Sequence, residues 1–284
     1  MSFENDLEST VCPLCNSADS NMAYAGKGFA PYSVMRCAGC SFHYLSPRLK
    51  EAAMLACYED DRYFEGEAHG YGNYADQETA LRATFRRLLK TMARRGVTGG
   101  TLLEIGCGYG YLLDEARPYF DYRVGADFSA AAVRAAKVFA DAVYQGGVDA
   151  IPDAELFDCV IATHVIEHVY HPREFIDALL KHVRPGGCLL VATPDMGSFW
   201  RVLMGRYWPS FKLPEHVLYF EKKTLTRLLT DCGVQGASVV PYPHAFPLPL
   251  VAAKLRLKSP ALLNKINLWL PATTLAIAGF KNNV

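Results

Sequence analysis

Three glycines at every second position close a short apolar run in Thr101-Leu-Leu-Glu-Ile-Gly-Cys-Gly-Tyr-Gly110, and no other stretch of this 284-residue chain constrains its fold as strongly. Leu102, Leu103 and Ile105 suit a strand buried on both faces. Gly106, Gly108 and Gly110 let the backbone turn sharply and approach a ligand without side-chain interference. A helical pattern then runs from Tyr111 to Ala116, and Pro118 closes it. A second short strand, Tyr122–Ala126, leads to Asp127, whose carboxylate can accept two ribose hydroxyls.

Two nucleoside cofactors fit that layout, and the spacing separates them. A dinucleotide fingerprint would put its third glycine at position 111, which is Tyr111. Glu104-Ile-Gly-Cys-Gly-Tyr-Gly110 followed by Asp127 instead resembles motif I of the class I S-adenosylmethionine (SAM) methyltransferases. The resemblance implies that Glu104, Gly106, Gly108 and Gly110 border the methionine moiety and that Asp127, with Phe128 beside it, holds the ribose. It also implies that Asp149 meets the adenine amino group, and that Thr163 and His164 complete the cofactor site.

Strand and helix patterns alternate from 101 to 194, giving five strands with crossover helices between them. The helices expected are Ser129–Ala142, with Ser129 as N-cap, and His171–Leu180. Val183-Arg-Pro-Gly-Gly187 reads as the turn before the fifth strand. With later strands near 237–240 and 274–279, the expected architecture is α/β, a doubly wound and mainly parallel seven-stranded sheet. Upstream, Asp76–Arg95 reads as a helix with Leu81, Phe85, Leu88, Leu89 and Met92 on one face. Arg82, Arg86, Lys90 and Arg94 recur every four residues, which predicts a solvated basic stripe.

Cys12-Pro-Leu-Cys15 and Cys37-Ala-Gly-Cys40 are two C-x-x-C pairs 21 residues apart. Four thiolates make a closed tetrahedral zinc site with no open position for catalysis. A redox pair would need a strand-to-helix junction of its own, and none is evident here. The expectation is a structural Zn²⁺ ribbon over residues 1–45. Residues 46–100 form an aromatic connector and lid, with Tyr63, Tyr71 and Tyr74 as candidate lid residues. Residues 101–284 form the cofactor-binding domain, with an inserted helical pair at about 243–272.

The second informative stretch is Thr163-His-Val-Ile-Glu-His168, placed at the ligand end of the fourth strand. Val165–His168 resembles the V-I-E-H run of ubiquinone-type O-methyltransferases. Pro214-Glu-His216 lies in a later aromatic loop, and His216 is the candidate proton acceptor, with His168, Glu167 and His164 as the other catalytic candidates. His164, Glu167, His168 and His216 also resemble the metal-binding set of the small-RNA 2′-O-methyltransferases, which implies a second divalent ion at these four residues. His164, standing where that set has glutamate, favours a softer ion than magnesium.

Formal charge is zero, with 29 basic and 29 acidic residues, which argues against a surface built to grip nucleic acid. The first residues lack a signal-peptide pattern, and no apolar run is long enough to span a bilayer. Nine cysteines without a disulfide framework suit a reducing compartment, so a cytoplasmic protein is expected. From Cys232 onward there is no Asp or Glu, while Lys254, Arg256, Lys258, Lys265 and Lys281 give +5. That basic, apolar segment could touch an anionic membrane surface or a phosphorylated, lipid-linked substrate. The resemblance therefore implies SAM-dependent methylation of a small-molecule or saccharide hydroxyl. An rRNA base methyltransferase and a non-catalytic zinc scaffold are the alternatives.

Overall fold

In the computed structural model, residues 6–58, 77–248 and 266–283 are described. The candidate lid residues Tyr63, Tyr71 and Tyr74 lie outside them. The N-terminal module holds β1 (Leu7–Glu8), β2 (Ser20–Tyr24), β3 (Val34–Cys37), β4 (His43–Leu45), β5 (Arg48–Leu49) and α1 (Glu51–Tyr58). The chain continues with α2 (Glu78–Arg94), β6 (Thr101–Ile105), α3 (Tyr111–Glu115), β7 (Tyr122–Asp127), α4 (Ala130–Ala136) and β8 (Ala142–Gln145). Next come β9 (Phe157–Thr163), α5 (Pro172–His182), β10 (Val183–Pro194), α6 (Phe199–Met204), β11 (Leu218–Tyr219) and α7 (Lys222–Asp231). The last elements are β12 (Gln235–Val240), β13 (His244–Pro247), β14 (Asn267–Leu270) and β15 (Thr274–Phe280).

The central sheet has seven strands in the order β12-β15-β10-β9-β6-β7-β8. Neighbours from β8 to β10 pair in parallel, and β15 runs antiparallel to both β10 and β12. This is the doubly wound, mainly parallel sheet expected. The order reverses between β6 and β9, so a crevice opens at their carboxyl ends, where such sheets bind ligands. Burial explains the aliphatic runs. Leu103 and Ile105 of β6 join a core on one face, and Leu102 joins a second core on the other.

The first core is shared with the N-terminal module. Cys12, Phe29, Phe42, Tyr44 and Leu45 pack in the same cluster as Leu103, Val160, Val191 and Phe220. The module's sheet is also completed from outside it, because β11 adds to β4 in the order β11-β4-β3-β2. Leu218 pairs with Tyr44 and Tyr219 with His43. The second core is roofed by α2, whose Leu81, Phe85, Leu88, Leu89 and Met92 are all buried, as their helical spacing requires.

Four expectations are revised. The stripe on α2 is not uniformly solvated: Arg82 reaches Glu78 and Asp114 at 2.7 Å and Glu115 at 3.3 Å, and its guanidinium lies over the Tyr111 ring. It fastens α2 to α3. The helix expected to run to Ala142 ends at Ala136, because Arg123 of β7 captures the chain beyond it, bonding Phe139 O at 3.3 Å and the Asp141 carboxylate at 3.0 Å. Val183–Gly187 is absorbed into β10 as an irregularity in its pairing with β9. The described flanks of the expected helical insertion, β13 and β14, pair as antiparallel strands. The Ala245 N–H donates to Thr84 Oγ1 of α2 at 2.9 Å, which ties β13 to that helix.

Candidate active site

The glycine turn follows β6 directly. Gly106, Gly108 and Gly110 have φ of 74°, 51° and 80°, a region costly for residues with a Cβ. At Gly110 a Cβ would also lie 3.0 Å from Ala136 Cα, so the turn and α4 meet backbone to backbone. The Gly106 and Cys107 N–H groups donate to Ala126 O at 2.8 and 3.0 Å, tying the turn to β7. Asp127 at the end of β7 is buried, and its two oxygens accept from the N–H groups of Gly108 and Ser129, both at 2.9 Å. Burial raises the Asp127 carboxyl above its ordinary value, against the pull of those donors. Glu104 is more enclosed, and burial and the Asp127 charge push it well up.

Phe128, half exposed, reaches Gly147 from one side, and Asp149 reaches it from another. A Cβ on Gly147 would sit 3.1 Å from the Phe128 ring and 3.0 Å from Asp149 Oδ1. An apolar ring face and a carboxylate acceptor thus adjoin at a point where the chain has no side chain.

Across the crevice, β9 ends at buried Thr163, and His164 turns with φ of 57°. A 3₁₀ turn over Ile166–His168 follows. Glu167 is 1% exposed. Its carboxylate accepts from His164 Nδ1 at 3.2 Å and from the Thr193 hydroxyl at 2.9 Å. Burial opposes its charge, but the His164 hydrogen bond and the electrostatic pull of His164, His168 and His216 together outweigh that and hold the carboxyl below its usual value. His168 donates from Nδ1 to Glu215 O at 3.0 Å, and His216 donates from Nδ1 to Ser210 O at 2.9 Å. These bonds to carbonyls assign the tautomers and leave Nε2 as the lone-pair nitrogen of each neutral ring. The two rings meet edge to face at 4.7 Å. Burial first, and then the nearby His168 ring, whose protonation would compete with its own, push His216 down to about 3, so it is neutral at working pH.

The later loop reaches this place through main-chain bonds. Val217 N–H donates to Glu167 O at 2.9 Å, and Leu45 N–H donates to Val217 O at 2.9 Å. One backbone step therefore joins the β9 turn, the His216 loop and the N-terminal sheet.

In that module the Cys12 and Cys40 sulfurs lie 3.5 Å apart, as do those of Cys15 and Cys37, and all four ligand atoms are within 4.8 Å of one another. Each C-x-x-C turn is closed alike, Asn16 N–H to Cys12 O at 2.8 Å and Ser41 N–H to Cys37 O at 3.0 Å. Asn16 and Ser41 then take positive φ. Burial opposes ionisation at Cys37, but the Cys40 N–H and neighbouring donors bring the thiol down to about 7. The donor set fits Zn²⁺ as a closed tetrahedral site.

The structure thus gathers Glu104, the glycines and Asp127 on one side of the crevice, and Glu167, His168 and His216 on the other. His164 reaches the second group only through Glu167. It is not among the three residues whose ligand atoms converge within 4.8 Å. Tyr242 and His244, which sequence reasoning passed over, pack their rings against His164 at 6.4 and 5.9 Å. The alternation Pro241-Tyr-Pro-His244 was the available signal, an extended run with two polar rings on one side.

The family profile described as a methyltransferase domain matches residues 76–239, more than half of the chain. The chain belongs to this methyltransferase family. Among curated proteins, the domain is 32% identical over 139 residues to a ubiquinone biosynthesis O-methyltransferase of Brucella ovis, covering 46% of this chain and 56% of that protein. It is 33% identical over 123 residues to the Rhodopseudomonas palustris enzyme of the same name, covering 41% and 45%. The chain thus spans about half the length of the curated relatives it matches. Among solved structures, a SAM-dependent methyltransferase of Thermotoga maritima superposes with a TM-score of 0.53 at 18% identity, over 72% of this chain and 91% of that one. Magnesium protoporphyrin IX methyltransferase of Synechocystis, solved with bound S-adenosylhomocysteine, gives 0.53 at 13%, over 82% and 100%. These likenesses establish the class I methyltransferase fold. Among the described residues no helix is long and apolar enough to cross a membrane.

Burial of neutral histidines makes the domain acid-sensitive. His43, His216 and His244 are pushed down to about 4, 3 and 3, each chiefly by burial. Their unfolded value is 6.5, so below it the unfolded chain binds more protons. Stability is fully present above about pH 6.5 and is lost as pH falls toward 3. Urea unfolding midpoints at pH 7.5 and 5.0 should therefore differ clearly, with the lower midpoint at pH 5.0.

Proposed function

We propose that this chain transfers a methyl group from SAM to a hydroxyl of a small-molecule or saccharide acceptor. The observation that carries the reading is the convergence of Glu167, His168 and His216 within 4.8 Å just after β9, the strand beside β6, whose glycine turn is held by Asp127. The residues fit the cofactor. Asp127 would take the ribose hydroxyls, Phe128 and Asp149 the adenine, and the Cβ-free turn would allow close approach. When bound, SAM supplies an electrophilic methyl on a sulfonium.

The chain's own part is to orient and to move a proton. His216 Nε2, neutral because the ring is buried, would take the acceptor's proton as the oxygen engages the methyl. Ser210 O fixes the ring's tautomer and Glu167 stabilises the imidazolium that forms. Correct alignment of oxygen, methyl and sulfur supplies most of the remaining effect. Expected on this basis, His216→Gln lowers kcat by ~10²–10⁴-fold. Cofactor affinity should be unchanged within a few-fold. Transfer of labelled methyl to a panel of sugars, phosphosugars and phenols measures both. Unaltered kcat in the variant would remove His216 from the mechanism.

The same three side chains also support a second reading, a bound divalent ion, because their ligand atoms lie within 4.8 Å and both imidazoles are oriented by carbonyls. Metal analysis separates the readings: one zinc per chain fits the cysteines alone, two metals per chain fit both sites. Cys12, Cys15, Cys37 and Cys40 would hold the structural zinc. Near-neutral charge favours a small acceptor over rRNA, and salt-dependent RNA binding would favour the rRNA alternative. A cytoplasmic location and a peripheral membrane contact through the basic, apolar segment from Cys232 onward remain parts of this proposal, as does the ribbon, connector and domain division of the chain.

A further inference from the structure

A cleft of about 450 Å³ opens between the exposed side of α2 and the connection from β12 to β13, lined by Arg87, Lys90, Thr91, Arg94, Pro241 and Pro243. It is separate from the crevice described above. Pro241 and Pro243 alternate with Tyr242 and His244, whose rings pack against His164, so one extended segment stands between the two places.

The cations of this cleft differ from their neighbours on the same helix. Arg82 and Arg86 are balanced by acidic side chains, and both reach Glu115 at 3.3 Å. Among the described residues, Arg87, Lys90 and Arg94 have no carboxylate partner. The Arg87 guanidinium lies over the Trp269 ring of β14 at 5.1 Å, which holds it in place without cancelling its charge. Neither wall can supply an anion. From Arg87 to Arg94 α2 has no Asp or Glu, and the chain from Cys232 onward has none. Three like charges therefore share one cleft and repel one another until an anion enters.

The walls also indicate which anion. Arg87 and Arg94 offer planar forks suited to phosphate oxygens, with the Lys90 ammonium between them as a point charge. Seven helical steps separate the two arginines by about 10 Å along the axis, further than one phosphate group spans. Pro241 and Pro243 have no N–H to donate, so the facing wall suits an apolar or ring surface rather than charge. The volume falls in the range of small-molecule sites and leaves room beyond the anion. We propose that this cleft binds a small molecule bearing a diphosphate. The phosphates lie on Arg87, Lys90 and Arg94, and the organic part rests against Pro241 and Pro243. Nucleoside diphosphates and prenyl diphosphates share that chemistry.

Calorimetry at low salt, in magnesium-free buffer, tests the site with inorganic pyrophosphate, orthophosphate, uridine diphosphate and geranyl diphosphate. Wild type should bind pyrophosphate at least ~10-fold tighter than orthophosphate, the gain from one more contact to a charged group. The double variant Lys90→Gln/Arg94→Gln should weaken pyrophosphate ~10-fold or more. Its thermal midpoint should match that of wild type, since neither side chain has a carboxylate partner to lose. Tighter binding of uridine diphosphate than of pyrophosphate supports the site and makes its ligand a nucleotide. Tighter binding of geranyl diphosphate supports it and makes the ligand lipid-derived. No gain with either overturns the place given to the prolines. Wild type that fails to bind pyrophosphate at millimolar concentration, or binds orthophosphate equally well, overturns the site. Unchanged pyrophosphate affinity in the folded variant overturns it too.

Discussion

Asp127→Ala should lose S-adenosylhomocysteine binding by a factor on the order of 100 or more, with the unfolding transition still cooperative. Hydrogen bonds to a charged group contribute about 1.5–3 kcal/mol each, and two ribose hydroxyls would be deprived of one carboxylate. The geometry adds to this. Both Asp127 oxygens already receive main-chain N–H groups, from Gly108 and Ser129, so the side chain also sets the shape of the glycine turn and the start of α4. Asp127→Asn keeps the length but replaces one acceptor by a donor aimed at an N–H, so it should rescue little. Calorimetry checks the affinities. Binding by Asp127→Ala within three-fold of wild type would remove the carboxylate from the cofactor site.

Removal of metal from the cysteine cluster should slow methyl transfer by at least ~10²-fold while weakening cofactor binding far less. β4 follows Cys40 by a few residues and pairs with β11, which begins two residues after His216. Val217 is bonded on one side to Leu45 and on the other to Glu167. Loss of the four-thiolate clamp therefore releases the strand against which the proposed proton acceptor, His216, is held, whereas the glycine turn and Asp127 follow β6 and β7. Folding free energy from structural zinc is about 10–16 kcal/mol in isolated peptides. Even a fraction of that exceeds what a small three-stranded module could replace. Cys37→Ser, or chelation of wild type, should thus lower the thermal midpoint and reduce kcat by at least ~10²-fold, the loss of a positioned base. Full activity in metal-free protein, with the cysteines intact, would break the connection.

What could be read in advance follows from how local each signal is. The β6 strand, its three glycines and Asp127 lie within one strand–turn–helix–strand unit, so their spacing carried their arrangement. Glu167 and His168 were legible because they follow β9 immediately. The cysteine pairs were legible because two sulfurs per turn leave few alternatives. Other features depended on distant partners. β11 is two residues long and carries no periodicity, and it exists because β4 offers an open edge. Arg82 looked like a member of an exposed stripe until α3 brought Asp114 and Glu115 to it. His164 shared the spacing of a metal ligand, yet its positive φ turns it toward Glu167 and Tyr242. Tyr242 and His244 lie outside the motifs read from the sequence, and only the passage of the β12–β13 connection past the second core brings them to His164.

The two cores on opposite faces of the sheet divide the crevice between them. The cysteine module, β11 and the loop carrying His216 pack in one, while α2, the glycine turn and Tyr242 pack in the other. Val148, the neighbour of Asp149, and Ala126, the neighbour of Asp127, belong to the first core together with Cys12 and Val217. A volume change beneath the cysteine module can therefore be felt at the ends of β7 and β9 alike, because close-packed interiors transmit strain. A change beneath Tyr242 enters the molecule through the other core.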